Sequence, residues 1–199
     1  AKPSGPRHPI HMLLREFLEK KVYPACEAAS RAKVVLAMDS TLPELVYCPQ
    51  SFKEGRTNAD DITEVLDDFP GLRIDKETTS LSWAREEQVK RESPDLIILH
   101  LSAFYDRTSP KDEEEKLLSF LKYMAPTPTK FLLYTRSPQL RRPGAGENWV
   151  RMITAKVPQL QGRIYLFTFR DGESYCFSKS SAPRGRLKET VKQILGLGS

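Results

Sequence analysis

The strongest restriction on the fold of this chain is a set of short, nearly continuous apolar segments. Residues 33–38 (KVVLAM) and 94–101 (PDLIILHL) are the clearest of them, and both are too short for a buried helix. Such segments are typical of β-strands that are covered on both faces by other elements. By similar patterns we predict further strands at residues 72–74, 130–134 and 163–169.

Segments with helical spacing of apolar residues alternate with these strands. A strand followed by a helix and then by another strand implies a crossover connection and parallel pairing. We therefore predict an α/β fold, a three-layer sandwich with a mainly parallel sheet, formed by residues 1–199 as a single domain with a flexible arm at residues 1–8. The predicted helices cover residues 9–31, 57–69, 80–91, 109–124, 147–156 and 187–195.

The charge of the chain gives little support to nucleic-acid binding. The formal net charge is +5, from 31 Lys and Arg residues against 26 Asp and Glu residues, and the two signs are mixed along the chain. Residues 141–142 and 184–186 contain short basic clusters outside any aromatic-rich motif, which favours solvated loops over a nucleic-acid surface. The chain also has no apolar run near the ~18 residues that a membrane span needs.

The cysteines of the chain are Cys26, Cys48 and Cys176, and they are too few and too widely spaced for a disulfide framework or a zinc site. Three unrelated buried thiols are the favoured interpretation, and one disulfide with one free thiol in an oxidising compartment is the alternative. The first residue, Ala1, is not a methionine. An exported chain whose targeting segment has been removed is therefore one interpretation, and the compartment stays open.

The loops that follow the strands are the candidate site, because ligands of open α/β sheets bind beyond the carboxyl ends of the strands. The first such loop begins with Asp39, Ser40 and Thr41, directly after a buried strand. Ser40 could stand there as a nucleophile. All three residues are also good helix N-caps, and Thr41 with Glu44 matches a capping box. Taken alone, the segment favours capping over catalysis.

Three short blocks of the chain follow the order of motifs of one hydrolase family. Residues 34–40 (VVLAMDS) form a strand that ends in Asp-Ser, residues 94–106 form a strand that leads into a loop, and residues 170–174 (RDGES) precede the last helix. In this order the blocks resemble the SGNH/GDSL hydrolases, whose first block ends in Gly-Asp-Ser, whose third contains Gly-x-Asn-Asp and whose last is Asp-x-x-His. The resemblance covers about residues 33–196 and implies a flavodoxin-like α/β sandwich.

The chain departs from the family at most of the catalytic positions. Met38 replaces the glycine of the first block, Thr78 lies where the second block supplies an oxyanion-hole glycine, and Tyr105 lies near the position of the asparagine donor. Ser174 stands in the place of the catalytic histidine, and no histidine follows His100 in the sequence. A serine hydroxyl needs a neighbouring base to become a nucleophile, so these departures weaken the prediction of catalysis.

Two functions follow from the resemblance. In the first, the chain is a hydrolase of a small ester or an acetylated glycan, with Ser40 as the nucleophile, Asp171 as its support and a base that the motifs do not identify. His100 is one candidate for this base. His8 and His11 are the other histidines of the chain, and solvent exposure is the favoured interpretation for both. In the second, it is a catalytically inactive module that binds a small molecule or a protein partner. For His100 itself, a buried core histidine is the favoured interpretation, since its neighbours are apolar. The predicted binding residues are Asp39, Thr78, Ser102 and Tyr105.

A third interpretation comes from residues 94–101, which also resemble the receiver strand of response regulators. There, His100 stands at about the position of the phosphoacceptor aspartate, so the chain would be a receiver-like domain without its phosphoacceptor. The acidic run at residues 112–115 looks like a metal site, but the solvated first turn of a helix explains it better. We expect no metal and no cofactor.

Overall fold

The computed structural model describes Phe17 and residues 32–37, 54–69, 71–77, 83–104, 112–137, 140, 142–177 and 181–197. Within this part of the chain, five strands form one sheet in which all neighbours are parallel. The predicted three-layer α/β fold with a parallel sheet is thereby confirmed. The strands are β1 (Lys33–Ala37), β2 (Arg73–Glu77), β3 (Leu96–Leu99), β4 (Lys130–Thr135) and β5 (Ile164–Thr168).

The strands lie in the order β2-β1-β3-β4-β5. The chain therefore places β2 on one side of β1 and then crosses to the other side for the remaining strands. This is the order of flavodoxin-like doubly wound sheets, whose ligands bind beyond the carboxyl ends of the strands at the point where the order reverses. That point lies here between β1 and β3, where Ala37 pairs with Leu99.

The α-helices of the described part cover both faces of the sheet. They are α1 (Asn58–Leu66), α2 (Trp83–Glu92), α3 (Glu113–Met124), α4 (Ala145–Lys156) and α5 (Ala182–Leu195). Alternate side chains of a strand point to opposite faces. Val35 and Ile97 accordingly pack with residues of α2, α3 and α4, whereas Val34 and Leu96 pack with residues of α1 and α5. None of these helices is both long and apolar enough to cross a membrane.

The predicted start of a helix near Thr57 is confirmed, and a capping box fixes it. The backbone N–H of Asp60 donates to Thr57 Oγ1 at 3.3 Å, and the backbone N–H of Thr57 donates to Asp60 Oδ2 at 3.0 Å. These bonds satisfy backbone donors that lack partners within the helix. Asn58 and Asp61 lie in the same turn and are buried, so the cap also positions polar groups inside the fold.

The last helix begins earlier than predicted, and this changes the environment of Arg184. α5 begins at Ala182 with Pro183 in its first turn, where a proline is tolerated because its missing N–H is not needed. Arg184 is therefore a helical residue, only 5% exposed, and it pairs with Glu64 and Asp68. The prediction of a solvated loop at residues 184–186 is wrong, because the helix turns Arg184 toward the carboxylates of α1 and the turn that follows it.

Other predicted elements are confirmed with shifted ends. β2 extends to Glu77 because it pairs with β1 along its whole length. β3 ends at Leu99, so His100 lies just beyond the strand. α4 begins at Ala145, two residues before the predicted start. The predicted helix at residues 9–31 lies outside the described residues, apart from Phe17.

Cys176 lies in the segment between β5 and α5, and it forms a disulfide. The prediction of three unrelated thiols is therefore wrong, because sequence spacing does not show which segments the fold brings within the reach of a disulfide. Cys26 and Cys48 lie outside the described residues.

Candidate functional site

A group of aromatic and basic side chains lies at the carboxyl ends of β3, β4 and β5, where this fold predicts a site. We call it the strand-end cluster and define it as His100, Tyr134, Arg136, Phe169 and Phe177. His100 directly follows β3, Tyr134 and Arg136 lie at the end of β4, and Phe169 follows β5. Parallel pairing assembles the cluster, because it brings the carboxyl ends of all the strands to one edge of the sheet.

Arg136 is the centre of this cluster, and only 2% of its surface is exposed. Its guanidinium carbon lies 5.8 Å from the ring centre of Tyr134, 5.7 Å from that of Phe169 and 5.8 Å from that of Phe177. A cation within about 6 Å of an aromatic face is attracted by the ring quadrupole. The rings therefore hold this cation in one position.

Asp61 of α1 balances the charge of Arg136. Arg136 Nη2 donates to Asp61 Oδ2 at 3.4 Å, and Arg56 Nε lies 3.1 Å from Asp61 Oδ1. Arg56 also pairs with Glu64, and its hydrogen bond to that carboxylate holds the pKa of Glu64 below the usual value. A buried charge is tolerated only when it is paired, so this chain of ion pairs is what allows Arg136 to lie inside the fold.

His100 is partly buried and faces the ring of Tyr134, with 5.6 Å between the ring centres and 48° between the ring planes. The Tyr134 hydroxyl in turn donates to Asn58 Oδ1 at 3.3 Å. Burial and the positive charge of Arg136 lower the pKa of His100 to about 4. Both causes disfavour the imidazolium, because a less polar surrounding opposes any charge and Arg136 repels a second cation. His100 is therefore neutral at neutral pH.

Most of the predicted site residues lie outside the described residues. These are Ser40, Asp39, Thr78 and Tyr105. Ser102 belongs to the 3-10 turn Leu101–Phe104, which follows β3, but its side chain is outside the described part. Of the predicted catalytic residues, the structure places His100 and Asp171.

The structure does not bring Asp171 to His100. Asp171 is exposed in the turn after β5, and it forms no hydrogen bond or ion pair with the part of the chain that the structure describes. β4 lies between β3 and β5, and two strand spacings amount to about 10 Å. The described geometry therefore gives Asp171 no role in orienting His100.

The turn after β5 is held by Glu173. The Glu173 carboxylate accepts from the backbone N–H of Arg170 at 2.7 Å and from Arg186 Nε at 3.1 Å. Burial raises the pKa of Glu173, but Arg186 and the Arg170 N–H outweigh burial, so this pKa lies below its usual value. Ser174, in the place of the family's catalytic histidine, accepts from the backbone N–H of Cys176 at 3.2 Å. These contacts are those of a structural turn.

A second feature of the same end of the molecule is a cavity of about 660 Å³ between α4 and β5. We call it the α4–β5 cavity. Val150 of α4 and Ile164 and Leu166 of β5 form its apolar part. Gly146 allows the helix to approach the strand closely, because a Cβ atom there would lie 2.5 Å from Leu166 Cδ2. The volume lies within the range of about 300–1,000 Å³ that is typical of small-molecule sites.

Arginines surround this cavity, namely Arg142 before α4, Arg151 on α4 and Arg170 after β5. All of them are exposed, and none forms an ion pair with the described residues. Glu147 is the one carboxylate in the described lining. The Thr168 hydroxyl oxygen, also in the lining, is buried and has no hydrogen-bond partner among those residues. The cavity thus offers hydrogen-bond donors and an excess of positive charge.

The acidic run at residues 112–115 lies at the start of α3, and the side chain of Glu113 is outside the described part. Glu114 and Glu115 are exposed on the first turn of α3, which is the solvated helix start that the sequence predicts. Among the residues that the structure describes, no group of His, Cys, Asp and Glu side chains is arranged to hold a metal ion.

Comparisons of the chain with models of protein families, with curated proteins and with solved structures found no significant match. A fold by itself does not determine a function, so the side chains of the site are the evidence for one.

Arg136 and Asp61 were not among the predicted site residues, although the sequence contains a signal that indicates the position of each. Arg136 comes directly after the apolar run of β4, so it must lie at the carboxyl edge of the sheet. Asp61 shares the helical spacing of Ile62 and Val65, which are buried, so it lies on the apolar face of α1. A carboxylate on an apolar helix face needs a cation, and that need is the signal that links the two residues.

Proposed function

We propose that this chain is a catalytically inactive α/β module that binds its ligand at the carboxyl ends of the strands. The observation that carries the proposal is the position of His100 beside the buried cation of Arg136 and against the ring of Tyr134. His100 is the only histidine among the described residues, and it is the candidate base that the structure allows us to examine.

The surroundings of His100 oppose the chemistry of a base. A serine nucleophile needs a base that gains a proton while the hydroxyl attacks. A proton on His100 would create an imidazolium next to the guanidinium of Arg136, and burial and charge repulsion both disfavour that state. With a pKa of about 4, His100 is also a weak proton acceptor at neutral pH. Efficient catalytic bases have pKa values near the working pH.

A serine esterase of the SGNH type, acting on a small ester or an acetylated glycan, is the second candidate. One observation favours it. β1 and β3 are neighbours, and Ala37 pairs with Leu99. In the sequence, Ser40 follows Ala37 by three residues and His100 directly follows Leu99, which is the spacing that the esterase hypothesis needs.

A fluorophosphonate probe separates the two functions, because it reacts with activated serines and not with ordinary hydroxyls. The folded chain is treated with the probe, and peptide mapping by mass spectrometry locates any label. An active serine esterase in the same tube shows that the probe is competent. We expect no label at Ser40. Labelling at Ser40 that disappears in the His100→Gln variant would overturn the proposal and support the esterase.

The disulfide of Cys176 supports an exported protein. Structural disulfides persist in oxidising compartments and are rare in the cytosol. Peptide mapping without reduction is expected to show Cys176 joined to Cys26 or to Cys48. Recovery of Cys176 as a free thiol from protein purified under non-reducing conditions would remove this support.

A further inference from the structure

The α4–β5 cavity combines an apolar interior with exposed arginine side chains that form no ion pair with the described residues. One of them, Arg170, also helps by its charge to lower the pKa of Glu173. Arg142, Arg151 and Arg170 are positively charged at any physiological pH, and none of them is paired with a described carboxylate. Glu147 opposes them with one negative charge. The lining therefore keeps an excess of positive charge.

The apolar part of the cavity is built from elements that belong to the core. Ile153 on α4 is fully buried, and Ile164 on β5 is 7% exposed, so both elements are anchored in the same apolar layer. Leu166 and Val150 pack against that layer and line the cavity. A preformed apolar wall of this kind favours ligands that carry an apolar body, because burial of apolar surface drives binding.

We propose that the α4–β5 cavity binds small amphiphilic anions, namely molecules that carry a carboxylate or phosphate group on an apolar body. This inference rests on the proposed function only in that a binding module requires a ligand. Guanidinium groups suit this chemistry because their N–H donors match the geometry of carboxylate and phosphate oxygens. The Thr168 hydroxyl adds a donor without a partner in the described part, and the nearby start of α4 favours negative charge.

The test uses two dyes with similar aromatic bodies, of which only one carries a charge. Anilinonaphthalene sulfonate is the anionic probe, and N-phenylnaphthylamine is the neutral one. Both become fluorescent in apolar sites, so each dissociation constant is measured by titration of the folded chain. We expect the anionic dye to bind more tightly than the neutral dye. This preference is expected to weaken as salt is added, because the arginines are exposed to solvent.

A variant with Arg142→Gln, Arg151→Gln and Arg170→Gln removes the charges. Since these side chains form no described ion pairs, we expect the variant to fold normally, as circular dichroism would show. The anionic dye is expected to bind it about tenfold more weakly, as three exposed charge contacts of about twofold each would give. The neutral dye is expected to bind as before. The matched control is Arg91→Gln, which removes an exposed arginine of α2 and should change neither constant.

A further variant, Thr154→Trp, places a large side chain in the cavity from α4 and should weaken both dyes. The inference is overturned if the triple variant binds the anionic dye as tightly as the unmodified chain, or if Arg91→Gln weakens it equally. It is also overturned if the folded chain does not bind the anionic dye. Each of these results is independent of the serine probe, because Ser40 labelling reports on catalysis and the dyes report on the cavity.

Discussion

The strand-end cluster and the α4–β5 cavity hold arginines in opposite ways. Arg136 of the cluster and Arg184, which donates to the Phe177 carbonyl beside it, are almost fully buried, and each pairs with a carboxylate of α1. Arg142, Arg151 and Arg170 are exposed around the cavity and form no described ion pair. A buried cation without a partner would destabilise the fold, so the first group is tied to structure. The second group costs the fold little and is available to a ligand.

The two regions also differ in how their space is filled. In the strand-end cluster the ring of Tyr134 packs against Phe167, Phe169 and Phe177, with 6.2 to 6.4 Å between ring centres. Next to α4, the apolar side chains of Leu166 and Val150 border an open volume of about 660 Å³. Rings that fill their space contribute stability, whereas an unfilled apolar surface is a place where a ligand can gain binding energy.

The largest expected effect comes from removal of the carboxylate that holds the buried cation. Asp61→Ala leaves Arg136 buried without its paired charge and removes one of the two carboxylates that pair with Arg56 in α1. We expect the free energy of unfolding to fall by about 3–5 kcal/mol, as for other broken buried ion pairs. Equilibrium unfolding in urea, followed by circular dichroism, measures the change.

The control for this prediction removes both charges. In the Asp61→Leu, Arg136→Met variant no unpaired charge remains buried, so most of the lost stability should return. A decrease in the free energy of unfolding below about 1 kcal/mol in Asp61→Ala would mean that water reaches Arg136. In that case burial would not be what distinguishes the arginines of the two regions.

The next effect is a dependence of stability on pH that arises from His100. Its pKa is about 4 in the folded chain, against about 6.5 in an unfolded one. As the pH falls below the unfolded value, the unfolded chain takes up a proton at this position and the folded chain does not. The free energy of unfolding should therefore decrease, by about 2 kcal/mol between pH 7 and pH 5 from this group.

The measurement compares the unmodified chain with His100→Gln, which does not titrate. Urea unfolding across this pH range should show a smaller loss of stability in the variant, since other groups contribute equally to both chains. Equal slopes would contradict the prediction, because they would mean that His100 titrates with an ordinary pKa in the fold. No such dependence is expected from the cavity, whose arginines stay charged throughout.

The strands and most helices could be predicted because their signal is local. Apolar runs such as that of β4 and the cap at Thr57 depend on neighbours in sequence. The contacts of Arg184 could not be predicted in this way. Whether that residue is solvated or buried depends on α1, more than a hundred residues earlier in the chain. The α4–β5 cavity could not be predicted from local sequence either, since it exists only where α4 crosses β5.

A smaller effect is expected at the cap that positions the buried polar residues of α1. Thr57→Ala removes the side-chain acceptor for the backbone N–H of Asp60, and loss of such a cap costs about 1 kcal/mol. The control is Thr63→Ala on the same helix, where alanine is the better helix former and little stability should be lost. Urea unfolding compares the two. Equal losses would show that the cap does not support the strand-end cluster.

The smallest effects on stability are expected at the glycines that open α4, and these separate stability from binding. Gly144 adopts a φ of 78°, and a Cβ there would meet only Glu147 Oε2 at 3.8 Å. Gly144→Ala should therefore cost about 1 kcal/mol through left-handed strain. Gly144 also lines the cavity, but its Cβ would meet only Glu147 and not the apolar wall. Gly146→Ala has no such strain, but its Cβ would lie 2.5 Å from Leu166 Cδ2, so Leu166 must change its rotamer at the cavity wall.

The gain in helix propensity from glycine to alanine, up to about 1 kcal/mol, offsets the movement of Leu166 in the Gly146→Ala variant. Its stability should therefore stay close to that of the unmodified chain, while its affinity for the anionic dye changes. Gly144→Ala should show the reverse, a lower stability with a smaller change in affinity. Urea unfolding and dye titration on the same preparations check both. If the two variants changed affinity equally, the dye would not be bound at Leu166. This result would contradict the proposal that the cavity is the ligand site.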